Sequence, residues 1–407
     1  LFDDKNRELR AVASHSVRDQ LEQQRIGVYN GFVGELPENP DGLERSVNDE
    51  INRTSIIQID YVQPLGAGKL ETGYKSTFRT FDNDYTYEIR SRTTGEFVNR
   101  EDISNHFVYR DQIHALYGIY SQSFGDFEVS AGVRLEQTLV DTELKTTGEK
   151  NEQDYLNLFP SMQALYHLDD QHSVKFTYSR RIDRPGSWWL NPFPDIADSL
   201  NIRIGNPNIQ PEFIHSLELG HMAKFEKSEF TTNLFFRHVD GQVDYIVRLE
   251  NGISFRQPTN LNTSMTYGLE FINSTQLAPW WNINGSVSLF QVRVDGSNLD
   301  DEFTNSGFSW NAKMTSDFSL PWDVDLQLVG NYTAPEIEAQ GRDLARYYID
   351  ISLQRDFLDK KGSVTLSLRD IFDTRTFQGE NASSTFRQEF EYKRESRILL
   401  LSLSYNI

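Results

Sequence analysis

The chain has 407 residues, 38% hydrophobic and 13% aromatic, with 60 Asp and Glu against 40 Lys and Arg and a formal net charge of -20. That balance weighs against nucleic acid, whose binding rests on neutralising phosphates with Lys and Arg, and zero cysteines exclude a disulfide framework and thiolate metal or redox centres. Mean hydropathy is -0.56 and no apolar run reaches the ~20 residues of a membrane-crossing helix, yet a membrane strand needs apolar residues only at alternate positions.

From the start, Leu1 follows no initiator Met, basic n-region or apolar h-region, so the chain reads as a mature or partial product. Segments 8–17 and 25–34 read as two weak strands, and residues 1–50 stay open between strands and loop, ahead of a barrel domain over 51–407. Beyond residue 51 about 15 strands are expected, giving about 15–17 in all.

Their faces follow from alternation. Phe127, Val129, Ala131, Val133 and Leu135 share one side against Glu128, Ser130, Gly132 and Arg134. The same pattern puts Tyr267, Leu269 and Phe271 outward, then Phe308, Trp310, Ala312 and Met314, then Val324, Leu326 and Leu328. Further outward sets are Tyr347, Ile349, Ile351 and Leu353; Val364, Leu366 and Leu368; and Leu399, Leu401, Leu403 and Tyr405. A register slip of one residue would turn charge into lipid, at about 2–4 kcal/mol for an Arg near the midplane.

Connections alternate in length. Tight turns fall at 64–68, 123–126, 169–171, 226–228, 278–279, 321–322 and 359–362, and polar stretches lie between at 82–106, 141–154, 183–211, 240–262, 295–305 and 374–385. Short periplasmic turns and long outer loops are the design of an all-β, antiparallel, up-and-down transmembrane barrel in an outer membrane. If the last strand ends on the periplasmic side, two weak strands before residue 51 leave residue 1 outside, so an odd number of strands is expected upstream.

Residues 178–212 contain Tyr178-Ser179-Arg180-Arg181-Ile182-Asp183-Arg184-Pro185, Leu190-Asn191-Pro192-Phe193 and Gly205-Asn206-Pro207-Asn208-Ile209-Gln210-Pro211-Glu212. With Leu158-Phe159-Pro160-Ser161, Leu368-Arg369-Asp370-Ile371-Phe372-Asp373-Thr374-Arg375 and the Leu-rich final strand, this run resembles Bacteroidota-type outer-membrane β-barrel proteins related to TonB-dependent receptors. The likeness covers about residues 51–407. It implies a barrel of roughly 22 strands with a plugged lumen, of which this chain supplies the C-terminal part, with outer loops that capture ligand and a plug moved by TonB. Neither a plug domain nor a TonB-box peptide is present in the sequence, which ends Tyr405-Asn406-Ile407 instead of on an aromatic residue.

Pro185, Pro192, Pro207 and Pro211 remove donors and fix φ, so the 183–211 loop is expected to fold compactly outside the ladder. Trp188 and Trp189 in that loop are ligand-binding candidates, because an exposed indole stacks on sugar or aromatic rings. An internal packing role competes with that reading, as rim and loop hydrogen bonding does for Arg181, Arg184 and Asn206, the last two also ligand candidates. Trp280, Trp281 and Trp322 adjoin tight turns and read as girdle residues at the headgroup level.

The histidines do not cluster along the chain: His215 and His221 share a strand face but lie roughly 20 Å apart. Asp295, Asp300, Asp301 and Glu302 share a loop without EF-hand spacing, so a solvated acidic loop is expected over a Ca²⁺ site. No phosphate loop, nucleophile elbow or paired acid and base emerges, and no enzyme, metal site or cofactor is expected. The leading function is a receptor or transporter barrel importing a bulky nutrient (siderophore, oligosaccharide or peptide) through a wide polar lumen. A scaffold barrel in an outer-membrane complex, or a smaller open porin, stands against it. Expected partners are outer-membrane lipid and lipopolysaccharide, TonB through a plug, and a lipoprotein or other outer-membrane subunit, with no nucleic acid.

Overall fold

The computed structural model describes residues 7–29, 40–195, 200–359 and 361–405. In chain order its strands begin with β1 (Glu8–Val28), β2 (Gly42–Leu65), β3 (Gly68–Arg90), the short β4 (Phe97–Asn99), β5 (Asn105–Phe124), β6 (Phe127–Leu144), β7 (Glu149–His167) and β8 (His172–Asp183). A helical turn α1 (Ser187–Leu190) and β9 (Asn201–Arg203) precede β10 (Glu212–Lys224) and β11 (Ser228–Asp240). Next come β12 (Val243–Glu250), β13 (Ile253–Asn260), β14 (Thr263–Ala278), β15 (Trp281–Asp295), β16 (Thr304–Leu320) and β17 (Val324–Thr333). The last are β18 (Glu336–Glu338), β19 (Gly341–Asp343), β20 (Arg346–Phe357), β21 (Gly362–Arg369), β22 (Phe377–Ala382), β23 (Arg387–Tyr392) and β24 (Ile398–Tyr405).

A 17-stranded sheet forms the wall, within the expected range. Apart from β4, which flanks β3, its strands pair antiparallel with their neighbours in sequence, the short loop strands being skipped. All seven expected tight turns join wall strands. At two of them consecutive residues take positive φ, Trp322 (68°) with Asp323 (54°) and Leu358 (53°) with Asp359 (52°), the handedness that matches strand twist in a tight hairpin.

Register aligns the greasy positions into rows, since directly paired residues of antiparallel strands share a face. One row runs Ile59, Tyr74, Leu116, Leu135, Leu158. A second runs Phe176, Leu219, Leu234, Leu269, Leu289, Trp310. A third runs Phe318, Leu326, Leu353, Leu366, Leu401. Leu116, Leu158, Leu234 and Leu401 are 60%, 49%, 53% and 73% exposed on the bare protein, so the apolar belt faces outward. At the tight-turn rim Trp281 stacks on Trp280 and Phe318 and Trp322 stands almost fully exposed, as girdle residues should.

Three expectations change. The segments 8–17 and 25–34 are not two strands: β1 runs unbroken from Glu8 to Val28, and residues 30–34 lie outside the described ones. Glu8 is then opposite Val62, near the β2–β3 turn, and Tyr405 is opposite Gly362, so both ends of the described wall sit at the tight-turn rim and the odd-number inference loses its premise. The polar stretches 82–106 and 141–154 are largely ladder, with β3 reaching Arg90 and β6 and β7 separated only by residues 145–148.

The physical reason is height. A 24-residue strand such as β2 is roughly 80 Å long, well beyond an apolar band about 25 Å tall even when tilted. Above the belt, outward positions carry paired charge, Arg110 with Asp141 at 2.8 Å and Arg45 with Glu88, so period-two hydropathy disappears although the strand continues. Leu269→Arg, in mid-belt, should lower stability by about 2–4 kcal/mol in urea unfolding of the membrane-inserted protein. No loss would place Leu269 away from lipid.

Candidate functional site

The long connections do not float above the wall. Leu190 and Ile209 from the 184–211 loop, 2% and 0% exposed, pack with Phe107, Tyr109, Val140 and Leu144 on the inner face of β5 and β6. A second dry cluster joins Ile246 and Leu261 to Phe290, Val292, Val294 and Phe303. The outer end of the interior is therefore partly filled with apolar side chains.

Charge and glycine anchor the Pro-rich loop. Arg184 pairs with the buried carboxylate of Glu136, donates to Thr138 Oγ1 at 3.0 Å and lies beside the Tyr155 ring. Gly205 N donates to Asn191 O at 3.0 Å and Asn206 N to Trp189 O at 2.6 Å. A Cβ on Gly205 would stand 2.2 Å from Asn191 O, so only glycine permits this clamp. Asn206 Oδ1 accepts from Asn208 N at 3.0 Å, and its Nδ2 donates to Pro258 O at 3.2 Å on β13. The parallel pairing of β9 with β13 completes the link between this loop and the β12–β13 hairpin.

The clamp shapes a cavity of ≈ 400 Å³ between the two loops. Trp188 is 62% exposed and lies over Tyr245 with centroids 6.3 Å apart, Trp189 meets Tyr245 edge-on at 5.7 Å, and the Arg256 guanidinium covers the Tyr245 ring at 4.4 Å. Phe193, Asp195 and Arg203 also line it. Among the described residues neither Arg203 nor Arg256 forms an ion pair, and the buried Trp189 Nε1 has no hydrogen-bond partner. The cavity thus offers flat rings, two guanidiniums and an unused indole donor.

Of the four expected ligand residues, Trp188 and Trp189 line this cavity, whereas Arg184 and Asn206 stand outside its lining and tie the loop down. Sequence reasoning missed Tyr245, Arg203 and Arg256. They lie on loop strands whose meeting depends on tertiary contact and leaves no local signal.

Behind Arg256, the hairpin β18–β19 brings Glu336, Glu338 and Asp343 toward Asp244. Gln340 exchanges two 2.7 Å bonds with the Val247 backbone, and Ala339 N donates to Asp244 Oδ2 at 3.3 Å. Burial, with Asp244 and Asp343 close by, pushes the Glu338 carboxyl up to about 7, against the pull of Arg256. Burial raises Asp244, Glu336 and Asp343 as well.

The expected histidine separation fails across strands. His172 and His221 stack with ring nitrogens 3.2 Å apart, and His215 and His238 are cross-strand neighbours. In the acidic loop, Asp300 accepts from Glu302 N and Asp295 from Ser297 N. Among the described residues no group of three or more His, Asp or Glu is placed to hold a metal ion.

Two outcomes are expected. Glu136→Ala leaves the Arg184 charge without its buried partner, at about 3–5 kcal/mol, and should expose the 184–211 loop to limited proteolysis; an unchanged cleavage pattern would deny the anchor. Glu338 holds its proton to about pH 7 when folded but titrates near 4.5 otherwise. Its contribution to loop stability is complete below that lower value and lost as pH rises through the higher one. Amide exchange across 241–262 and 334–345, corrected for intrinsic rates, should therefore quicken on that rise, and Glu338→Gln should flatten the change.

Among curated proteins none matches the chain. In structure it is similar to the copper transporter OprC, with a TM-score of 0.69 at 12% identity over 98% of this chain and 62% of that one. It is also similar to the siderophore receptor PiuA from Acinetobacter baumannii, at 0.68 and 10% identity over 99% and 62%. The ferric citrate transporter FecA gives 0.65 and 13% identity over 99% and 60%. These identities establish a shared fold, and the chain spans about three fifths of each relative's length. Residues 1–405 match the outer membrane protein beta-barrel family, so the chain belongs to that family and to the outer membrane.

Proposed function

We propose that this wall and its inward-folded loops are the ligand-capturing barrel of an outer-membrane receptor or transporter for a bulky nutrient such as a siderophore, an oligosaccharide or a peptide. The observation that carries the reading is the cavity between Trp188, Trp189, Tyr245, Arg203 and Arg256 at the outer end of the interior. Stacking surface, paired guanidiniums and a vacant indole donor suit a ligand with a flat ring and acceptor oxygens.

On this reading, passage requires the dry clusters beneath the cavity to shift, and a TonB-coupled plug supplies the work. The resemblance to longer transporters and receptors supports that division of labour. Arg184 and Asn206 hold the capturing loop in place without touching ligand.

Tryptophan-fluorescence titration of the full receptor with a panel of ferric siderophores, oligosaccharides and peptides tests the reading. Trp188→Ala and Tyr245→Ala should each weaken the ligand that binds by about tenfold, the scale of one aromatic stack. Unchanged affinity in both variants, with the 184–211 loop more protease-sensitive, would assign these rings to loop packing alone.

A further inference from the structure

The inner wall carries a cavity of its own, apart from the one between the outer loops. β7 is paired with β6 along 149–166, but its ladder to β8 covers only 161–167, and β8 residues 180–183 continue on β10 alone. The two strands fork at Pro160, which has no N–H to give. A pit of ≈ 490 Å³ opens at the fork.

Parity decides which side of the wall the pit belongs to. Leu116, Leu135, Leu158 and Phe176 stand in the outward rows, so Tyr117, Arg134, Phe159, Ser161, Ser179 and Arg181, which line it, point to the interior. Gly132, Ser161 and Ser179 are register partners in one inward row, and their short side chains leave the space. β8 climbs from the 169–171 turn, so Ser179 and Arg181 lie inward of Arg184 and of the loop it fastens.

Charge in the pit is unbalanced. Its one lining carboxylate, Glu136, is shared between Arg134 at 2.7 Å and Arg184. Arg181 donates to Ser216 Oγ at 3.1 Å and has no acidic partner among the described residues. The neighbouring cleft on the same wall holds Arg237 together with Glu218 and Glu270, so the cationic excess is confined to the fork. Guanidiniums with too few carboxylates, two serine hydroxyls and the ring surface of Tyr117 and Phe159 fit an oxyanion carried on a ring or apolar body.

We infer that this pit is a second seat for the nutrient, taking its carboxylate or phosphate group after the ligand leaves the cavity between the loops. The inference rests on the capture reading for its ligand and narrows that ligand to an acidic one. Arg181 supplies the unclaimed charge, and Ser161 and Ser179 donate to the remaining oxygens.

Calorimetric titration of the full protein with phenyl phosphate, inorganic phosphate and phenol tests it. Wild type should bind phenyl phosphate about fivefold more tightly than inorganic phosphate, the scale of one aromatic contact, and phenol more weakly than either. Arg181→Gln should weaken phenyl phosphate about tenfold, the scale of one charge-assisted contact, while Arg181→Lys keeps most of the affinity and Arg203→Gln with Arg256→Gln changes nothing. Phenol binding as tightly as phenyl phosphate would overturn the inference without any variant. Equal affinity for the two phosphates would mark a site for free ions, and loss in the Arg203 and Arg256 double variant would put the probe between the outer loops; either result also overturns it. The Trp188 and Tyr245 variants bear only on the outer cavity, so each reading can fail without the other.

Discussion

An amide group inside a bilayer has no water to turn to, and the wall is organised by that lack. Each long strand exchanges hydrogen bonds with the strand beside it, and the register that satisfies the backbone also stacks Leu135 beside Leu158 and Leu234 beside Leu269. One set of pairings therefore serves two requirements, hydrogen bonding between neighbouring strands and a continuous apolar exterior. A slip of a single residue would keep the first and destroy the second.

The belt and the tight turns were legible in the sequence because both are local: alternation over five residues shows a face, and a two-residue gap shows a hairpin. Legibility ended where a second condition was needed. Residues 82–90 and 141–144 are strand, yet water bathes their outward side, so nothing apolar marks them. β1 was divided by its polar middle, Arg18 to Gln24, for the same reason. Trp188 and Trp189 could be singled out by residue type and loop position. Tyr245 and Arg256 become meaningful only once β9 lies along β13, a contact separated by about fifty residues.

The family-like motifs also gain a physical account. Gly205-Asn206 closes the loop over the aromatic cavity, and Arg184 fastens its other end to Glu136. Pro160 marks the point where a ladder stops. Asp370, at φ 45° and 1% exposed, gathers Ser396 Oγ at 2.6 Å and the Thr374 and Arg375 amides at 2.9 and 3.0 Å, knotting both ends of the final outer loop. Arg184 and Asp370 share a position, since each fixes a junction between wall and loop.

The two bonds from Gln340 to Val247 span 93 positions of chain. Because β12 and β18 belong to different outer loops, they can meet only after the intervening strands have been laid side by side. The packing of these outer loops on one another is consequently a late product of assembly, and a half-inserted chain would lack it.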